Sequence, residues 1–212
     1  MQTKVTKFLS ILLFLSAAVC AAEAQAKFNY AAQKALIPSE LGRVYLGMPF
    51  DKFAKEIDLS KAEVGDTRFD WLDLTVPVAK GNIQSVRVRV HGLTQDDKAR
   101  ILKRETVTKT RAEGQTYEGE IHKLLTSKIP AEGFVYEMNI EFNQGFDLKK
   151  YSLKKYGKGE TRKPSEEYRF FDTQWTKRTS DGLAWLIRSF HERDSQRLQL
   201  IARIEGTEWA VD

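Results

Sequence analysis

Cysteine is almost absent: Cys20 is the only one in 212 residues, and it lies in the apolar N-terminal stretch. A disulfide framework is therefore excluded, and once that stretch is removed no thiol remains as nucleophile or metal ligand. Histidine is nearly as scarce. His91, His122 and His191 are the three present, and none falls in an H-E-x-x-H or H-x-H pattern. A zinc centre would lack both halves of its usual ligand set. There is no G-x-S-x-G elbow, no S-x-x-K and no G-x-x-x-x-G-K-[ST] loop, so the familiar serine nucleophiles and the phosphate-cradling loop are excluded as well. No catalytic residue, cofactor site or metal site is assigned from the sequence. Beyond the N-terminus no apolar run approaches the roughly 20 residues that a bilayer-spanning helix needs.

What is present begins with the N-terminus. Lys4 and Lys7 precede an apolar run over residues 8–19, followed by Ala22-Glu23-Ala24 and Ala24-Gln25-Ala26. A basic start, a short apolar centre and a small-residue exit describe a cleavable export signal over residues 1–26. Cleavage after Ala26 is preferred to cleavage after Ala24. Cys20 follows the β-branched Val19, a poor fit to a lipoprotein acylation site. Loss of the signal removes two lysines and one glutamate and lowers the formal charge from +5 to +4. Charges of both signs are interspersed, a pattern that permits attraction to an anionic envelope surface and does not suggest nucleic acid. The expectation is an exported, periplasmic or secreted protein.

Along the remaining chain, residues 30–36 suit a short helix. Val44-Tyr45-Leu46-Gly47-Met48 leads to Pro49, whose missing N–H is tolerated in a first helical turn. Phe50, Phe53 and Ile57 recur at i, i+3, i+7, predicting a half-buried helix over 49–58. Residues 69–78 and 83–91 read as a hairpin around Lys80-Gly81-Asn82, with Val86, Val88 and Val90 inward and Arg87, Arg89 and His91 outward. Thr94 and Asp97 resemble a capping box for a helix to about Lys103. Residues 107–113 fit a strand or a loop. Tyr117, Ile121, Leu124 and Leu125 suggest a helix over 115–127. Residues 133–142 alternate as a strand with Glu137, Asn139 and Glu141 on its wet side. Asp147 caps a helix to Tyr156, and Gly157 ends it. A charged loop over 158–167 precedes a three-stranded meander whose Asp181-Gly182 step is a hairpin cue.

This composition is α+β: short helices packed on antiparallel sheet. The order helix, loop, strands occurs twice, which suggests two tandem modules, 27–130 and 131–212, sharing a sheet or packed back to back, or else one continuous domain. Two features suit binding. Lys149, Lys150, Lys154, Lys155 and Lys158, continued by Arg162 and Lys163, cluster about the second long helix and could meet an anionic surface, against the simpler reading of a solvated face. Phe170, Phe171, Trp175, Trp185 and Phe190 crowd the last strands, where core packing competes with a partner surface. Carboxylate pairs for acid–base work are Asp70 with Asp73 and Glu137 with Glu141, each more easily explained as the wet side of a sheet.

The Leu46-Gly47-Met48 step before a short helix, and the Tyr156-Gly157 helix exit, resemble small envelope proteins of the BamE/SmpA group and of the fold they share with β-lactamase inhibitor proteins. The chain departs from both: it has no credible lipidation cysteine and no disulfides. The resemblance implies a periplasmic binding or scaffold role without catalysis, and it transfers no binding residue. The function expected is therefore a non-enzymatic envelope protein that binds another protein or an anionic envelope component. The alternatives are a secreted carboxylate-dependent hydrolase and an inhibitor of a secreted enzyme.

Overall fold

The computed structural model describes residues 28–67, 70–161, 172–191 and 195–210. The expected export signal lies outside them, as do Arg162, Lys163, Phe170 and Phe171.

The first helix, α1 (Tyr30–Gln33), is capped by Asn29, whose side chain accepts from the Ala32 N–H. The chain then reaches Gly47, whose φ of +81° sits where only glycine is at ease, and whose N–H donates to the Val135 carbonyl at 2.7 Å. That bond starts a two-residue strand, β1 (Met48–Pro49), and α2 (Phe50–Glu56) follows at once. Pro49 occupies the cap position rather than the first turn. Phe50 and Phe53 are buried as their spacing predicts.

The strands are β2 (Glu63–Val64), β3 (Trp71–Lys80), β4 (Ile83–His91), β5 (Leu102–Thr110), β6 (Thr116–Leu124), β7 (Phe134–Phe142), β8 (Glu160–Thr161), β9 (Thr173–Arg178), β10 (Ala184–His191) and β11 (Gln196–Arg203). All pairings are antiparallel, in the order β5-β6-β2-β3-β4-β7-β11-β10-β9-β8, with β1 adding to β7. Two further α-helices, α3 (Gln95–Ile101) and α4 (Leu148–Tyr156), and two single 3-10 turns (Ser39–Leu41 and Thr126–Lys128) complete the described elements. The Thr94–Asp97 capping box is formed in full. The fold is mixed α+β but dominated by its sheet, and the four helices are too short to make a clear second layer.

The sheet is arranged about its middle. One wing runs β2-β3-β4-β7 and the other β8-β9-β10-β11; α2 precedes the first and α4 the second, and β7 pairs with β11 between them. The long hairpin β5–β6 extends the first wing. Leu72, Leu74, Val86, Val88, Met138 and Ile140 join Leu198, Leu200, Trp185 and Ile187 in one buried cluster with Phe50 and Phe53. Tyr156 ties α4 to this core through Trp175, ring centroids 5.5 Å apart, and its hydroxyl donates to the Leu36 carbonyl. Gln33, fully buried, brackets Leu46 with two hydrogen bonds and donates a third to Asp181 in the β9–β10 turn.

Two expectations need correction. Residues 116–124 form β6, not a helix. Tyr117 and Ile121 are four apart, and positions i and i+4 share a face at period 2 as well as at period 3.6. Only Leu124, at i+7, favoured the helix within this span, and it is outweighed by pairing: the β-branched Thr106-Val107-Thr108 of β5 offers a partner in continuous register, and Leu124 is buried on the face opposite Tyr117. The second correction concerns β7. Its expected wet side holds Glu137 at 2% exposure, a buried carboxylate.

A polar sheet face as candidate functional site

Strand alternation places the apolar cluster on one side of the sheet and a set of polar side chains on the other, aligned in cross-strand rows. The first row is Asp73–Arg89–Glu137, continued by Ile201 and Leu186. The second is Thr75–Arg87–Asn139–Gln199–Arg188–Gln174, six strands wide and polar throughout. The third runs Ser85–Glu141–Arg197–Phe190. A shallow recess of about 310 Å³ opens over these rows between Thr75 and Arg197.

The first row is tightly bonded. Arg89 donates from Nε to Asp73 Oδ1 at 2.9 Å and from Nη1 to Glu137 Oε2 at 3.2 Å, and pairs with Glu208 as well. Its guanidinium lies 5.2 Å from the Trp71 ring centroid. Burial works against the charge of Arg89, but Glu137, Asp73 and Glu208 more than offset this and hold the group protonated more firmly than an ordinary arginine. Glu137 also accepts from Asn139 Nδ2 and Gln199 Nε2, both at 2.7 Å, and from Trp209 Nε1 at 3.2 Å. Asp73 has a second cation in Arg87. A buried carboxylate needs such compensation, because losing its water costs several kcal/mol unless charges and donors replace it.

The third row is different. Glu141 accepts from Ser85 Oγ at 3.2 Å. Arg197, its cross-strand neighbour, forms no ion pair among the described residues; its guanidinium stacks 4.4 Å from the Phe190 ring centroid and its Nε is buried without a hydrogen-bond partner.

The histidines do not converge. His91 pairs with Phe134 at one end of β7, whereas His191 pairs with Gln196 opposite Phe142 at the other, roughly 27 Å away at about 3.4 Å per residue. His91 packs edge-on to Phe134 and Tyr136 and is pushed towards its neutral form, first by burial and then by Lys98, against the opposing charge of Asp70. His191 Nδ1 lies 2.7 Å from Asp172. His122 borders a separate recess near Lys98 and Arg104. Among the described residues no group of three or more His, Cys, Asp or Glu is placed to hold a metal ion.

Of the basic residues singled out in the sequence, Lys149, Lys150, Lys154 and Lys158 are exposed. The first three share the outward side of α4 with Leu153, which is 57% exposed. Lys155 turns inward over the Tyr151 ring, and burial lowers its pKa against the opposing charge of Glu40. Arg162 and Lys163 fall outside the described residues. Trp175 and Trp185 are core side chains, and Phe190 faces the polar side. In the sequence Arg87 and Arg89 read as a wet strand face, and Glu137 and Glu141 as a wet face or a carboxylate pair. The signal missed is that one strand's arginines and the next strand's carboxylates fall at matching parity.

No family model matches this chain, and comparison with curated proteins and with solved structures likewise finds no match. Among the described residues no helix is long and apolar enough to cross a membrane.

Proposed function

We propose that this chain is an exported binding or scaffold protein of the bacterial envelope, and that the polar sheet face is its recognition surface. The observation that carries the reading is the commitment of Asp73 and Glu137 to a common Arg89. Carboxylates held by a guanidinium and by amide donors from several strands are fixed in position, so the arrangement suits a rigid surface. The export signal supplies the location. The outward lysines of α4 around Leu153 suit contact with an anionic envelope component, each near-surface charge being worth about 1 kcal/mol against an anionic membrane.

The tandem-module idea belongs to the same proposal. Each wing has a helix followed by four antiparallel strands, and the segment entering each helix is bonded to the start of its wing's last strand. Phe50 N–H donates to the Gly133 carbonyl in one wing, and Leu148 N–H donates to Gln196 Oε1 in the other. This order supports the likeness to the BamE/SmpA and inhibitor-protein fold group and favours counting β7 with the first module. The test is fractionation and in-cell crosslinking of the tagged chain. Recovery of a shortened protein outside the cytoplasm, crosslinked to an envelope component, is the expected result. A full-length cytoplasmic chain, or a shortened one without adducts, refutes the reading.

A further inference from the structure

Taken together, β9, β10 and β11 contain no aspartate or glutamate at all. On the polar face this wing presents Arg178, Arg188, Arg197 and Arg203, placed there by cross-strand register with Ala184, Gln199 and Glu141. The other wing offers Arg87 and Arg89 on the same face, but both are tied to Asp73. Arg188 donates to Gln174 Oε1 at 3.1 Å and lies over the Trp209 ring. Arg197 is set apart by its side chain, which forms no ion pair among the described residues and keeps its Nε buried without a hydrogen-bond partner. A buried donor left unsatisfied costs free energy, and the guanidinium that carries it borders a recess open to the outside, where its terminal nitrogens are not buried.

We propose that this recess is a carboxylate-binding subsite at its Arg197 end, and that its occupant is an aspartate or glutamate side chain of a protein docking on the sheet face about β11. The proposal rests on the binding-protein reading and names the partner's chemistry. The choice of carboxylate follows from the geometry of Arg197. Stacking on Phe190 fixes the guanidinium plane and leaves the edge of its two terminal nitrogens for a planar, two-oxygen acceptor. The choice of a protein follows from the neighbours. Asn139 and Gln199 line the recess beside Arg197, and an arginine stacked on an aromatic ring within a polar rim is the usual make-up of an energetic anchor at a protein interface. Glu141, directly across from Arg197, acts as an internal competitor that keeps the site from taking every passing anion.

The test is isothermal titration of the purified full chain, at low ionic strength, with an end-blocked hexaglutamate peptide. Hexaglutamine, inorganic phosphate and phosphatidylglycerol vesicles serve as parallel probes. Hexaglutamate is expected to bind and hexaglutamine not. Arg197→Gln should weaken binding about tenfold, Arg197→Lys should weaken it by less, and Glu141→Gln should strengthen it. If Arg197→Gln fails to fold, as shown by its melt, the lysine variant and Glu141→Gln carry the decision. Equal binding by wild type and the folded Arg197 variants overturns the proposal. So does an Arg197-dependent response to phosphate or vesicles without one to hexaglutamate. Loss of the peptide response with envelope crosslinks intact removes only this subsite, whereas peptide binding without crosslinks removes the envelope role.

Discussion

Replacing Arg89 with methionine keeps most of the side-chain volume and deletes the charge that three carboxylates share. The consequences differ by partner. Asp73, 1% exposed at its side chain, keeps Arg87. Glu208 is 29% exposed and can turn to water. Glu137, 3% exposed, loses its only cation among the described residues and is left with neutral donors from Asn139, Gln199 and Trp209. Breaking a buried pair by removing one member costs about 3–5 kcal/mol. The surviving donors argue for the lower end, about 3 kcal/mol. For a chain of this size that corresponds to a drop of roughly 6–12 °C in melting temperature. The assay is thermal and urea unfolding of wild type, Arg89→Met, Glu137→Gln and the double variant. Glu137→Gln in the Arg89→Met background should recover a substantial part of the loss, because it removes the stranded charge. An Arg89→Met protein that melts within about 2 °C of wild type would show that the network contributes little, and the account of the polar face would fall with it.

Phe53→Ala deletes a ring that is 1% exposed at the centre of the core cluster, and should cost about 3–5 kcal/mol in urea unfolding; an unchanged midpoint refutes the anchoring role of α2. Gly47→Ala places a Cβ 2.5 Å from Phe28 Cδ2 at a φ of +81°, and should lose about 1–2 kcal/mol by the same measurement. His91 is held towards its neutral form in the fold, so below the ordinary histidine value of 6.5 the unfolded chain binds more protons than the folded one. The stability it contributes is present above pH 6.5 and declines as pH falls further, and His91→Gln should flatten the melting profile between pH 7 and pH 5. Lys149, Lys150 and Lys154 changed together to glutamine should reduce co-sedimentation with phosphatidylglycerol vesicles by about fivefold per charge while leaving the melt unchanged. Equal sedimentation would remove α4 from the binding reading.

Local signals in the chain were read well where one period or one cap decided the matter. The Phe50/Phe53 stripe, the Thr94–Asp97 box, the Gly157 exit and the alternation of Val86, Val88 and Val90 each correspond to an observed element. Reading failed at β6, where i, i+4 spacing is degenerate between helix and strand. It also failed at Glu137, whose environment is made by Arg89 from β4, Gln199 from β11 and Trp209 from the C-terminal segment. No window of sequence contains that neighbourhood, since it exists only after β7 has taken its place between two strands far from it in the chain. Arg197 was illegible for the same reason: its stacking on Phe190 follows from a hairpin register, but its lack of an ion pair among the described residues follows from what the neighbouring strands do not bring.

The position of β7 also bears on how this chain reaches its structure. The pairs β3–β4, β5–β6, β9–β10 and β10–β11 join neighbours in sequence, and such hairpins form within microseconds to tens of microseconds. β7 instead must find β4 across the whole β5–β6 excursion, and then β11 across all of the second wing. Loop-closure entropy is lost before those contacts return anything, so seating β7 should set the folding rate. Truncations within β7 should slow refolding, whereas substitutions in the outlying hairpin β5–β6 should act mainly on unfolding. An intermediate with formed hairpins and an unseated β7 would expose two unpaired strand edges at once, and chains in that condition are the ones that chaperones exist to hold.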